Sequence, residues 1–276
     1  MELHRSWRVV GHCVLLLLSI AILVPMALVV FTAFKPHNEI FSALPWPEHP
    51  VLDNFVALFR DMPFATYLWN TTATTVIRVS GQLLLAILTA YAFARWRFPG
   101  SNTAFVLVLG AMIIPHQLTM IPIYIMMGQL NWFDTWEALI IPNLAMPFGA
   151  YGAFLLRQHF LAFPRELYDA AEMDGAGHWR TLWLIVVPNL RPALSALIVV
   201  FFIESWNEYF WPLLVTDSAH SRTIQVGIRQ FLNEQQADAY GPLMAGMTLV
   251  SLPALALFFA LQRRVMDTFV TSGIKG

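Results

Sequence analysis

Glu204 and Glu208 stand four residues apart in one long apolar run, and a single arginine, Arg78, interrupts another. Residues four apart share a helix face, which places both carboxylates with Asn207 and Trp211 alongside. A charged group at membrane depth is costly and by default carries a function with a partner to be named. In the topology set out below, Arg78 and Glu208 each lie about six residues, roughly 9 Å, from the outer ends of their helices. An ion pair or shared hydrogen-bond network between them is the expectation. Three roles stay open for Arg78, Glu204 and Glu208: a structural pairing, the lining of a translocation path, or proton coupling. The aromatic cluster Trp206, Tyr209, Phe210 and Trp211 is equally two-sided. Aromatic rings stack on the apolar faces of sugars while amides and carboxylates bond their hydroxyls, yet the same rings anchor helices at membrane interfaces. His116 has no second ligand at helical spacing, so a satisfied contact inside a bundle is expected rather than a metal site.

A second constellation is polar and carries no reactive chemistry. Between two hydrophobic runs the chain reads Asp169-Ala170-Ala171-Glu172-Met173-Asp174-Gly175-Ala176, then Ile185-Val186-Val187-Pro188. Pro164 suits a first helical turn, and Glu166 and Asp169 suit the positive end of its dipole. Leu167, Ala170, Ala171 and Asp174 predict a small, mostly apolar face. Gly175 falls where a helix ends in a left-handed residue. A second helix from about Gly177 carries Trp179, Leu182, Trp183 and Val186 until Pro188 breaks it. Two readings remain open from these residues alone: an amphipathic hairpin lying on the membrane surface, or a compact knob that a partner grips.

The elements that position these groups follow from composition. Hydrophobic residues make up 58% and charged residues 12% of 276, far more apolar than a soluble surface allows, so the chain is read as an integral membrane protein. A net charge of −1 speaks against a nucleic-acid partner. Cys13 is the single cysteine, which excludes an intrachain disulfide. A span needs about 20 apolar residues, and six stretches meet or approach this: 9–34, 72–94, 104–128, 137–156, 193–215 and 243–262. The first follows His4, Arg5 and Arg8 but holds Pro25, is too long for a secretory signal and lacks a small-x-small site, so an uncleaved helix is expected. Pro115 and Pro122 are expected to kink the third span.

Arg5, Arg8, Arg95, Arg97, Arg157, Arg165, Arg180, Arg191, Arg263, Arg264 and Lys275 fall on one side of this topology. Only Lys35, Arg60, Arg222 and Arg229 fall on the other. The positive-inside rule then puts both termini and the loop 158–192 in the cytoplasm. The outer segment 35–69 is proline-rich, with a short helix expected where Asp53 could cap its start. Asn70-Thr71-Thr72 matches a glycosylation acceptor, a pattern common by chance. The other outer segment, 216–240, offers an amphipathic helix around Ile224 to Leu232. Lys35 and Lys275 are the only lysines and neither sits in a phosphate-cradling motif, so any ATPase must be another polypeptide.

The polar run resembles the coupling-loop motif of binding-protein-dependent ABC import permeases: Glu-Ala-Ala, three residues, Gly, nine residues, Ile, one residue, Leu-Pro. Asp169, Ala170, Ala171, Gly175, Ile185, Val187 and Pro188 occupy those positions with the spacing intact. Asp169 replaces the usual Glu, a stem one methylene shorter. Asp174-Gly175-Ala176, the run from Trp206 to Pro212 and the terminal Ser272 to Gly276 are similar to the carbohydrate-uptake branch, in particular the smaller, maltose-type subunit. The resemblance implies an all-α fold of six transmembrane helices in the bacterial inner membrane, forming a single permease domain over 1–276. Implied partners are a second permease subunit, a homodimeric cytoplasmic ATPase that binds ATP and magnesium, and an extracytoplasmic solute-binding protein. No cofactor is expected in this chain. The implied cargo is a mono- or oligosaccharide or polyol, with sn-glycerol 3-phosphate as the alternative, since relatives with a similar Trp-Asn-Glu-Tyr run carry it. The terminal segment is implied to touch the ATPase dimer.

Two rival classes fit the residues less well. An intramembrane enzyme would need His-Glu-x-x-His, Gly-x-Ser-x-Gly or paired intramembrane aspartates, none of which the sequence holds. An ion-coupled secondary transporter would use Arg78, Glu204 and Glu208, but leaves the patterned knob unexplained.

Overall fold

In membrane, backbone groups find no water, so apolar runs of this length must satisfy their hydrogen bonds internally as helices. The computed structural model describes the backbone of residues 2–144, 147–235 and 240–273, and the side chains of 7–144, 149–233 and 240–263. Among the described residues every regular element is helical. The chain gathers into two compact units, residues 1–65 with 227–252, and residues 66–226 with 253–276.

In the first unit, α1 (Glu2–Ala33) is followed by a proline-rich loop and α2 (Asp53–Asp61). Asp53 does not cap α2: Leu52 holds that position, and Asp53 is the first helical residue, beside the positive dipole end. The neighbouring Asn54 has a different task. Its buried amide donates to the carbonyl oxygens of Ala33, at 3.0 Å, and Lys35, at 2.7 Å, acceptors that the end of α1 would otherwise leave unpaired. The Lys35 ammonium folds back to the Leu44 carbonyl at 2.5 Å and the Ser42 hydroxyl at 3.2 Å. Glu39 pins the same loop from His49 Nδ1 and the Glu48 amide, both at 2.9 Å.

In the second unit the helices are α3 (Phe64–Arg95, whose first residues precede the unit), α4 (Ser101–Gly110), α5 (His116–Gln129), α6 (Trp136–Leu144) and α7 (Pro147–Leu161). They are followed by α8 (Arg165–Met173), α9 (His178–Asn189), α10 (Arg191–Asn207) and α11 (Phe210–Val215). α12 (Ile224–Gln235), mostly of the first unit, and α13 (Tyr240–Gly273), divided between the units after Leu252, complete the order. Three helical segments of the described residues, Trp7–Ala33, Phe64–Arg95 and Tyr240–Arg263, are each long and apolar enough to cross a membrane. They coincide with the expected first, second and sixth spans.

The expected third and fifth spans are broken, and prolines explain where; the fourth passes through residues outside the described ones. Proline offers no N–H to the carbonyl four residues back, and its ring crowds that carbonyl. Pro115 releases Ala111, where α4 stops; the chain re-enters helix only at His116, with Pro115 in extended conformation. The expected kink at Pro115 is thus a full interruption over 111–115, while Pro122 stays inside α5. Pro212 releases Glu208, where α10 stops with ψ at 126°. Pro188 releases Leu184 within a π-helical turn, Thr181–Val186; there the Val187 amide donates to Leu182, and the helix continues to Asn189. α9 then meets α10 at 81°.

The main core joins Ala86, Ala90 and Tyr91 of α3, Leu156 and Phe160 of α7, Tyr168 of α8, Leu182 and Val186 of α9, and Leu197 and Phe201 of α10. Gly152 permits the close approach: an added Cβ would stand 2.7 Å from the Phe201 ring and 3.0 Å from Ala86. Gly152→Val is therefore expected to cost about 1–3 kcal/mol through overpacking. A fluorescence size-exclusion melt should show the midpoint lowered by several degrees, and an unchanged midpoint would contradict this packing.

The candidate translocation cavity and coupling knob

Two of the helix breaks border one cavity of about 540 Å³. His116 and Gln117 come from the start of α5, Asn207 from the end of α10, Glu208 and Tyr209 from the gap after it, and Phe210 from the start of α11. Arg78 and Gln82 of α3 and Asn143 of α6 complete the polar wall. Non-helical backbone at membrane depth is tolerated where it lines such a cavity, and discontinuous helices often carry transporter binding sites.

The expected ion pair is present. Arg78 Nη1 donates to Glu208 Oε2, with side chains only 9% and 15% exposed. Glu204 and Glu208 do not share a helix face, however, because Glu208 has already left α10 when it reaches Arg78. Glu204 remains helical and exposed on the cavity wall, without an ion-pair partner among the described residues.

Side chains also repair what the prolines undo. Pro142 cannot donate to the Ala138 carbonyl, and Trp211 Nε1 donates there instead, at 2.7 Å. Trp211 is 1% exposed and packs on Met127, Leu139 and Val215. Expected as a path residue, it does border the cavity, and it also bolts α11 to α6. The Asn143 carbonyl likewise accepts from a distant side chain, Gln82 Nε2, at 2.8 Å. Asn207 bonds back to the Ile203 carbonyl at 2.9 Å. Tyr209 is half-buried and Phe210 exposed, their rings 5.7 Å apart.

His116 departs from its expectation. Neither ring nitrogen has a hydrogen-bond partner among the described residues, although both are shielded from solvent. Arg78 Nε and Gln82 Oε1 are in the same condition.

Beyond the cavity the loops are tied down. Asp134 accepts from the amides of Asp217 and Ser218, both at 2.9 Å, and from the Ser221 hydroxyl. Burial alone would raise its pKa, but the bonds from Ser218, Ser221 and Asp217 outweigh it and hold the carboxyl well below the usual range. Asn70 is 2% exposed and donates to Ala219 and Arg222 carbonyls, so its acceptor-like motif is a structural tie.

At the other end of the core, α8 stops in a Schellman motif. The Gly175 amide donates to Glu172 at 3.0 Å and the Ala176 amide to Ala171 at 2.8 Å, with Gly175 at φ +72°. Pro164 occupies the cap position rather than the first turn. The buried face is Tyr168 with Ala171, whereas Leu167 and Ala170 face outward. Asp169, Asp174 and Gly175 are exposed; Ile185 and Pro188 are half-buried. The sequence reading missed the brace beneath the knob, which the end of α3 supplies. The Arg95 guanidinium lies 4.9 Å over the Tyr168 ring and 3.9 Å from the Glu172 carboxylate; Tyr91 and Trp96 meet His178. Burial pushes the Tyr168 phenol up to about 12, so it packs as a neutral ring. The expected contact of Ser272 to Gly276 falls outside the described side chains.

The pattern of the binding-protein-dependent transport system inner membrane component family matches residues 82–267. The arabinooligosaccharides transport system permease protein AraQ of Halalkalibacterium halodurans is 30% identical over 91% of each chain. The sn-glycerol-3-phosphate transport system permease protein UgpE of Yersinia pestis is 30% identical over 98% of this chain and 99% of its own. The diacetylchitobiose uptake system permease protein NgcG of Streptomyces coelicolor is 28% identical over 95% and 87%. Among solved structures, a bacterial ABC transporter that imports the acidic polysaccharide alginate has the same fold. The TM-score is 0.81 at 20% identity, covering 94% of this chain and 96% of that one.

Proposed function

Because the chain belongs to the family of binding-protein-dependent transport system inner membrane components, a family of multi-pass proteins of the bacterial inner membrane, we propose that it is the smaller permease subunit of an ATP-driven carbohydrate importer. In this reading it crosses the membrane six times with both termini in the cytoplasm. α4 with α5 and α10 with α11 each form one interrupted span. Residues 158–192 then lie on the cytoplasmic side and 35–69 outside.

The observation that carries the reading is the α8 knob. Its inner face, Tyr168 and Ala171, is buried, with Tyr168 part of the main core, and its outer face presents Leu167, Asp169, Ala170 and Met173. A short helix held this way suits a groove on another protein. The groove belongs to a cytoplasmic ATPase, which supplies the ATP and magnesium sites this chain does not carry. Closure of the paired ATPases moves the knob as a rigid body. The core it rests on extends to Phe201, which borders the cavity. A second permease subunit completes the passage, and a solute-binding protein delivers cargo to the outer loops; a second alginate ABC transporter structure, of TM-score 0.67, is a complex with an alginate pentasaccharide-bound periplasmic protein.

The cargo is a mono- or oligosaccharide or polyol. sn-Glycerol 3-phosphate is the second reading, favoured by the near full-length relative that carries it.

The test is ATP hydrolysis by the reconstituted complex with and without binding protein. Stimulation is expected in the wild type. Asp169→Ala removes the carboxylate available to an Arg or Lys of the ATPase groove, worth about 1–2 kcal/mol as a charge-assisted contact, and should lower stimulation roughly tenfold. Wild-type stimulation in Asp169→Ala would remove that ion pair from the account.

A further inference from the structure

Near its outer end α10 presents two unlike sides. Ser205 and Trp206 are buried, 6% and 2% exposed, whereas Glu204 and Asn207, three residues apart and so on one side of the helix, are exposed and border the cavity. The Asn207 amide nitrogen is committed to the Ile203 carbonyl, which leaves its side-chain oxygen unengaged among the described residues. The Glu204 carboxylate makes neither a hydrogen bond nor an ion pair with them. In the six-span reading Glu204 stands roughly 20 Å along α10 from Arg191, inside a hydrocarbon core about 30 Å thick. A lone charge is too costly to face lipid at that depth, so this side of α10 faces either the passage or another chain. The cavity of about 540 Å³ in front of it decides for the passage. A volume of this order suits a small molecule, and the wall continues into the Phe210 ring, 70% exposed. We infer that the Glu204–Asn207 side of α10 lines the passage, and that its two free acceptors take hydrogen bonds from the hydroxyl groups of an uncharged saccharide. The inference rests on the importer reading and names the residues that meet the cargo and the charge of cargo they admit.

Two acceptors side by side suit the neighbouring hydroxyls of a sugar ring, each of which donates. Exposed Phe210 and half-buried Tyr209 offer ring faces to the apolar side of a pyranose. Charge separates the two candidate cargoes. Arg78 already faces Glu208, so Glu204 is the charge on the wall that the described residues leave uncompensated. The hydroxyls of sn-glycerol 3-phosphate would reach Glu204 only by bringing a phosphate of about −1.5 to −2 charge beside the carboxylate, where like charges repel.

Glu204 gives the cleanest test, because replacing it breaks no hydrogen bond within the described protein. The complex with its partner permease, ATPase and binding protein is placed in proteoliposomes, and uptake of labelled lactose, arabinotriose, diacetylchitobiose and sn-glycerol 3-phosphate is measured. Import of at least one saccharide and exclusion of glycerol 3-phosphate are expected in the wild type. Glu204→Leu should cut saccharide import roughly tenfold, the equivalent of one charge-assisted hydrogen bond, and Glu204→Gln, which keeps an acceptor, should lose less. A second readout does not depend on transport. Glu204→Cys is combined with Cys13→Ser, so that position 204 holds the single thiol of this chain, and a charged, membrane-impermeant thiol reagent is applied during ATP turnover. Labelling of this subunit is expected, slowed several-fold by the saccharide that is imported. Reaction with a lipid-soluble maleimide alone would place the residue against lipid, and reaction with neither reagent would place it under the second permease subunit; both overturn the inference. Labelling that no saccharide slows, or unchanged import in Glu204→Leu, would overturn the subsite. Import of glycerol 3-phosphate alone, or of none of the saccharides, would overturn the cargo class. No ATP hydrolysis stimulated by binding protein in the wild type would bring down the importer reading, and the subsite with it.

Discussion

Reversing the charge at residue 78 alone stops import, and reversing residue 208 as well restores part of it. Arg78→Glu places two carboxylates where an ion pair now sits, among side chains that expose less than a sixth of their surface. Breaking a buried pair by removing one partner costs about 3–5 kcal/mol, because the surviving charge is left uncompensated. Glu208 is also the residue at which α10 ends, so its displacement would move the gap between α10 and α11 and the cavity wall with it. Uptake in Arg78→Glu and in Glu208→Arg is therefore expected below about 1% of wild type. The double variant re-forms the pair with reversed polarity and should recover about a tenth or more, since the coupling between contacting charges is what a double-mutant cycle isolates. If the double reversal is as inactive as either single, the pairing is not what the path requires. Assembly with the ATPase, measured by co-purification, separates lost transport from lost folding.

This pair was legible in the sequence for a simple reason. Two charges in separate apolar runs, at equal depth, have few ways to avoid a large desolvation cost other than each other. The helix ends around them were harder to read. An unbroken span over 193–215 satisfies hydropathy, and Pro212 looks harmless near its end. Its effect falls four residues earlier, on Glu208. The same offset from Pro115 marks the end of α4 at Ala111, so the signal was present as a displacement rather than at the proline itself. The ties that Trp211 and Gln82 make were not legible because they are long-range. These side chains donate to the carbonyls of Ala138, which Pro142 cannot serve, and of Asn143, and no local pattern states which distant side chain will arrive. His116 was misjudged for a related reason: spacing argues against a metal site but says nothing about whether the bundle satisfies the ring. The end of the knob was readable because Gly175 answers a local backbone demand. The choice of Tyr168 over Leu167 for its inner face depended on Tyr91 and Arg95 of α3, and was not.

That local demand makes Gly175 the sharper probe of coupling. Its φ of +72° is reached by glycine without strain, while an added Cβ would meet no atom of the protein within 4 Å. Substitution there is costly through the backbone alone. A non-glycine residue pays about 1–2 kcal/mol in the left-handed region, and valine more, because its branched Cβ tolerates that region least. Gly175→Val should therefore abandon the turn, release the Glu172 and Ala171 carbonyls from the Gly175 and Ala176 amides, and change the angle at which α8 stands on the core. ATP hydrolysis stimulated by binding protein is expected to fall at least about tenfold, with helix content by circular dichroism little changed. Gly175→Asn, which tolerates the left-handed conformation, should stay near wild type despite its larger side chain. Equal loss in Val and Asn variants would mean that the surface of Gly175, rather than its conformation, meets the partner. Undiminished stimulation in Gly175→Val would show that the turn does not set the geometry through which the ATPase acts on this chain.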